Sequence, residues 1–192
     1  MVRYSSNLKV MPLLFNEMRK AALLKVNGFD DKAIVHKSVT ENIFQVAKER
    51  RKRELANKIL TRLRTLSPEL LNILACGSME AAKIVALYAL LNEDLLLFEF
   101  FQEVYSYKYI TGNRFIYDSD IMLYFQRKAE VSAIVANWKD NNIRQLRNAY
   151  KKVLLESGFA KRHTSCLEIT PPFVEKEVRD LLAEEKRQAM CL

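Results

Sequence analysis

Glycine and proline are scarce, four of each in 192 residues, so the chain carries few breakers of regular structure. An interior helical glycine costs about 1 kcal/mol and a proline about 3 relative to alanine, so their rarity favours long helices over many short strands. Cysteine is scarce as well. Cys76, Cys166 and Cys191 are odd in number, far apart and form no CxxC pair. That pattern fits reduced thiols in a cytosolic protein, where a free cysteine packs as a small hydrophobe. Histidine is limited to His36 and His163, without a neighbouring cysteine or acid pattern that would suggest a metal site.

A long uninterrupted apolar run is also missing. The most membrane-like stretch, residues 84–101, is broken by Asn92, Glu93, Asp94 and Glu99. A spanning helix needs about 20 mostly apolar residues, and a mid-bilayer acid costs about 2.5–3.5 kcal/mol, so this stretch reads as two buried helices with a polar junction. The opening MVRYSSNLKVMPLLF has neither a long apolar segment nor a small-residue cleavage site, and no signal peptide is expected. No membrane partner and a cytoplasmic location are therefore expected.

The motifs of common enzymes are absent: no GxGxxG, P-loop, HExxH or GxSxG. Asp118 and Asp120 are spaced two apart, as metal carboxylates sometimes are, but read better as a turn and a helix cap. No catalytic residue, cofactor or metal is expected.

What the chain does have is an ordinary soluble composition, 49% hydrophobic and 28% charged, with a net charge of +8 and a pI near 9.4. A basic balance suits an anionic partner such as nucleic acid. Helical spacing recurs along the chain. Ser5, Ser6 and Asn7 offer caps for a first helix reaching Val26, with Met11, Leu14, Met18 and Ala22 on one stripe and Asn27-Gly28 as its stop. A short segment, Asp30 to Lys37, comes next. A long helix is predicted over residues 40–66, and Ser67-Pro68-Glu69 restarts the chain with a serine cap and a proline in the first turn. Ser78, and then Asn92 or Asp94, open two more helices. Gly112-Asn113 between two aromatic, β-branched segments predicts a small hairpin. Beyond it, Ser119 or Asp120 caps one helix, residues 131–138 form a second and residues 142–157 a third, closed by Gly158. A strand-like Cys166–Ile169 follows, and Pro171-Pro172 opens a last helix.

The charge is segregated. Residues 48–66 hold eight basic side chains and two acids, residues 67–107 one and six, residues 139–162 seven and two, for net charges of +6, −5 and +5. In the first basic segment Arg50, Arg51, Lys52, Arg53, Lys58 and Arg62 are candidate phosphate contacts, with Arg51, Lys58 and Arg62 on one predicted face, since arginine can grip phosphate bidentately. The alternative is a solvated helix with internal pairs such as Glu49 with Arg53 and Glu54 with Lys58. In the second segment, three helices and an extended excursion resemble a winged helix-turn-helix, whose third helix enters the major groove. Opposite the third helix's apolar stripe lie Arg144, Gln145, Asn148, Lys151 and Lys152, with Arg147 at the margin, and the candidate wing carries Lys161, Arg162 and His163. Glutamine and asparagine can read adenine; arginine and lysine can read guanine or hold phosphate. The alternative is an ordinary amphipathic helix with a polar outside. Dense aromatics such as Phe98, Phe101 and Tyr105 read as core, while an exposed Tyr107 or Tyr109 can stack on an unpaired base.

Tyr4-Ser5-Ser6-Asn7-Leu8, Glu41-Asn42 and Arg62-Leu63 followed by Leu66, with the length and helix order, resemble the BrxA family over nearly the whole chain. BrxA is the small component of BREX phage-defence systems. The resemblance implies a non-enzymatic accessory protein that binds DNA, with some likeness to the RNA-binding factor NusB, and that works beside other BREX proteins. It brings no residue roles; the residues named above rest on charge and helix faces. The expectation is a mainly α, multi-helix bundle with a winged helix-turn-helix-like C-terminal part and a small β element. A helical lobe over residues 1–110 and a winged helix-like lobe over 111–192 are expected. Double-stranded DNA is the expected partner, with RNA, or docking of other BREX proteins, as alternatives.

Overall fold

The computed structural model describes residues 4–190; Cys191 lies outside the described residues. The chain is mainly helical, as expected, at 69% helix with a small three-stranded antiparallel sheet. In order it forms α1 (Phe15–Val26), α2 (Asp31–Thr40), α3 (Glu49–Leu63), α4 (Pro68–Cys76), α5 (Met79–Glu93), α6 (Leu95–Phe100), a π-helical turn (Phe101–Ser106) and α7 (Tyr107–Ile110). Then come β1 (Phe115–Ile116), α8 (Asp118–Val131), α9 (Ala133–Ala136), α10 (Asp140–Glu156), β2 (Ala160–His163), β3 (Cys166–Ile169) and α11 (Lys176–Met190).

Several boundaries follow local chemistry. Leu70 N donates to the Ser67 hydroxyl at the start of α4, and Leu97 N donates to the Asp94 carboxylate at the start of α6. Gly28 and Gly158 take φ of +88° and +82° just past α1 and α10, the left-handed backbone that closes a helix. Other boundaries differ from the sequence reading. The first helix does not begin at the Ser5–Asn7 caps: Asn7–Lys9 makes a single 3-10 turn and α1 starts at Phe15. Pro12 lies between them, lacks an N–H and disfavours helical backbone in Met11. The long helix predicted from residue 40 is shorter at its front, because Asn42 and Gln45 have φ of +50° and +56°. The Asn42 side chain accepts a hydrogen bond from Val46 N at 2.9 Å, offering the backbone a local turn in place of a helix. The short Asp30–Lys37 segment is instead a ten-residue helix, with Ala33 N donating to the Asp30 carboxylate at 2.7 Å. The hairpin predicted around Gly112-Asn113 does not form. Residues 107–110 use their hydrogen bonds in α7, and Phe115 and Ile116 pair with Glu168 and Leu167 of β3. The last helix begins at Lys176, a few residues beyond Pro171-Pro172.

The chain packs as two compact units, each built from two stretches: residues up to Leu13 with Leu91–Pro172, and Leu14–Leu90 with residues from Phe173 on. The lobes drawn at residue 110 group the chain differently. In the second unit α1 packs on α3 and α4, α2 on α3, and α11 on α4. Met18, Ala22, Ile34, Ile59, Leu70 and Leu74 fill its core, and Val178 of α11 is buried. Ser67 N donates to the Glu185 carboxylate at 2.8 Å. Among the described residues no helix is long and apolar enough to cross a membrane.

The first unit has an aromatic centre. The rings of Phe100 and Tyr124, Phe100 and Tyr150, and Phe125 and Tyr150 meet at 5.0–5.3 Å between centroids, at steep angles that suit aromatic quadrupoles. Beside them Lys128 donates to Glu99 and Glu103 at 2.6 Å each, and Tyr4 OH donates to Glu99 at 2.7 Å. The sheet has the order β1-β3-β2 and closes one side of this unit, with Ile116, Leu167 and Ile169 buried beneath it.

Candidate nucleic-acid interface

The site begins with the periodicity of α10. Leu146, Ala149, Tyr150, Val153 and Leu154 are buried, which turns Arg144, Gln145, Asn148 and Lys152 outward and leaves Arg147 and Lys151 half-buried at the margin. The helix ends at Gly158, and the chain enters β2 at once. Lys161 and Arg162 therefore stand next to the C-terminal half of α10. Thr164, at φ +42°, turns the chain back into β3, with Lys161 opposite Glu168 and His163 opposite Cys166.

Asn148, Lys151, Lys152, Leu155 and Glu156 from the helix and Ala160, Lys161 and Arg162 from β2 line one groove of about 820 Å³. Five residues named from the sequence thus meet along it: Asn148, Lys151, Lys152, Lys161 and Arg162. Arg144 and Gln145 lie on the same exposed helix face but do not line the groove.

The positive charge of this surface is partly compensated. Asp118, at the start of α8, receives Lys151 Nζ at 2.6 Å and lies 3.1 Å from Arg147 Nη1. Lys152 pairs with Glu156 at 3.4 Å and Lys161 with Glu168 at 3.2 Å. Arg144 and Arg162 have no acidic partner among the described residues. From the sequence Asp118 reads only as a turn residue, and its distance of 33 positions from Lys151 leaves no local signal. The other aspartate of that pair, Asp120, does act at the helix start, accepting from Tyr117 N at 2.7 Å. Among the described residues no group of three or more His, Cys, Asp or Glu side chains could hold a metal ion.

The α3 surface, in the other unit, departs from the reading in one respect. Arg62 is only 1% exposed, so it does not join Arg51 and Lys58 on an outer face and has no route to a phosphate. It follows Ile59 by three positions and precedes Leu63, both buried, which puts it on the core stripe. The outward residues are Arg50, Arg53, Asn57, Thr61 and Arg64. Arg53 pairs with Glu49 at 2.9 Å, Arg50 with Glu54 at 2.8 Å, and Arg51 lies 3.9 Å from Glu54. Lys52 Nζ donates to the Val39 carbonyl at 3.2 Å, Lys58 is half-buried, and Arg64 pairs with Asp31 at 2.7 Å. This face carries the internal ion pairing of a solvated helix.

Comparison with known proteins gives consistent matches over nearly the full length. The BrxA family model matches residues 2–186. A protein of Bacillus cereus (strain H3081.97) described as BREX protein BrxA is 37% identical over 175 residues, 91% of this chain and 88% of that protein. A solved structure of an uncharacterized protein from Magnetospirillum magneticum has a TM-score of 0.81 at 23% identity, over 97% of this chain and 95% of its own, which is a likeness of fold.

Proposed function

This chain belongs to the BrxA family, and from that membership we propose that it is a non-enzymatic accessory protein of a BREX phage-defence system that grips double-stranded DNA. The observation that carries the proposal is the groove in which cations of α10 and of the β2–β3 hairpin converge. Lys151, Lys152, Lys161 and Arg162 would hold backbone phosphates, and Arg144 and Arg147 would extend that contact along the helix. Gln145 and Asn148 face the same way and can meet base edges. Three features support a winged helix-turn-helix docking: α8 and α9 precede α10, a hairpin follows it, and β1 lies at the far side of β3. In that geometry α10 occupies the major groove and the hairpin follows the backbone. A DNA partner also places the protein in the cytoplasm, beside other BREX proteins.

The test is fluorescence anisotropy with matched duplex DNA, single-stranded DNA and RNA across a salt series. Six neutralised phosphates would give a slope of log affinity against log salt of about −5.4. The charge-reversal pair Arg144→Glu with Arg162→Glu should weaken duplex binding more than tenfold while the helical circular dichroism stays unchanged. These two positions are preferable to Lys151, where a carboxylate would face Asp118. An unchanged affinity in the folded double variant removes the groove from the interface. A strong preference for RNA would favour a NusB-like role instead, and failure to bind any nucleic acid would turn the basic surface toward a protein partner.

A further inference from the structure

The register of the sheet sorts its side chains onto two faces. Directly opposed residues share a face, and neighbours along a strand alternate. Ile116 and Leu167 are opposed and buried, so their row faces the core. Phe115, Glu168 and Lys161 form the adjoining row on the outer face, and His163, two positions from Lys161, shares it. The Phe115 and His163 rings meet at 5.0 Å between centroids on this solvent side. Next to Phe115, the Arg114 guanidinium lies 4.5 Å above the centre of the Tyr109 ring. The same short stretch of chain exposes Tyr107 at 65% and Ile110 at 80%. Apolar and aromatic side chains concentrated in this way mark a contact surface.

We propose that this outer sheet face, with the adjoining Arg114–Tyr109 stack, is a platform for one or two unpaired bases of a strand leaving a duplex held in the groove. The proposal rests on the groove reading and deepens it: the favoured ligand is duplex DNA with a single-stranded extension. Two observations choose a nucleic-acid strand as the occupant. Lys161 lines the groove and also stands in the outer row, so the two surfaces are continuous. A cation, Lys161, stands in the same outer row as the Phe115 ring, which suits a base with a phosphate beside it. Glu168, the one acid of the row, is already paired with Lys161.

Three probes test it: a blunt duplex, the same duplex with a four-nucleotide overhang carrying 2-aminopurine next to the junction, and the overhang strand alone. A dye on the far duplex end reports binding, and 2-aminopurine emission reports stacking. The overhang duplex should bind about tenfold more tightly than the blunt one, with 2-aminopurine quenched at least twofold on binding. The variant Tyr109→Leu with Phe115→Leu keeps apolar side chains at both places. It should remove the preference and the quenching, and leave blunt-duplex affinity within about twofold. Equal binding of blunt and overhang duplexes without quenching overturns the platform and leaves the groove reading standing. Quenched binding of the free strand with none of the blunt duplex overturns the groove reading and retains the platform. No binding of any probe overturns both.

Discussion

Tyr150 brings its hydroxyl into the aromatic centre formed with Phe100, Tyr124 and Phe125, where it has no hydrogen-bond partner among the described residues. Burial pushes its ionisation well above the ordinary tyrosine value, so the group stays protonated and contributes only the cost of an unsatisfied donor. Tyr150→Phe keeps the ring and removes that donor. It should stabilise the protein by about 1 kcal/mol, a rise of about 2–4 °C in Tm by calorimetry. Lys128 presents the opposite case. Burial disfavours its ammonium, yet the hydrogen bonds to Glu103 and Glu99 outweigh that and hold its pKa above the usual lysine range. Lys128→Ala leaves those two carboxylates without their shared cation, and a loss of about 1–3 kcal/mol in urea unfolding is expected. Asp31 is held below the usual aspartate range by its hydrogen bond from Lys25, against a smaller effect of burial, and by Arg64. A depressed carboxylate contributes stability above its unfolded pKa and loses it as the pH falls through the folded value. The Asp31→Asn variant should therefore show a flatter acid limb of Tm against pH than the unaltered chain.

At the scale of elements, α10 and the start of α8 share one carboxylate that decides how much positive charge reaches the groove. Asp118 draws Lys151 and Arg147 toward α8. Asp118→Asn releases both cations and should raise duplex affinity severalfold and steepen its salt dependence, measured by the same anisotropy titration. No change would mean that neither cation meets DNA. The elements also show where sequence reading reaches and where it stops. Ser67, Asp94 and Gly158 were legible because a cap acts on residues three or four positions away. The buried side of α3 was legible as well, and Arg62 lay within it. A spacing of four from Lys58 gave it an outer place only by ignoring Ile59 and Leu63. The partner of β1 was not legible. Phe115 pairs with Glu168 across more than fifty positions, and Gly112-Asn113 offered a nearer partner that the helical hydrogen bonds of α7 had already withdrawn. A separation of 33 positions hid the pairing of Asp118 with Lys151 in the same way.

For the whole molecule, the segregated charge foretold that cations would gather, and in one unit Asn148, Lys151, Lys152, Lys161 and Arg162 do so along a single groove. The α3 cations belong to the other unit and are largely tied up in neighbouring acids, so they are expected to matter less. Reversing Arg50 and Arg53 to Glu should lower duplex affinity no more than about threefold, well short of the effect of reversing Arg144 and Arg162. A comparable loss from both pairs would make α3 an equal part of the interface. The two units also bear on how the chain is made. One is fully specified once Pro172 has left the ribosome. The other, begun at Leu14, waits for α11 to cover α4 and for Glu185 to meet Ser67 N, so the stretch translated early is completed last. During that interval the part of α4 that α11 covers is bare. A nascent chain stalled between the two points should engage chaperones that a full-length one no longer needs.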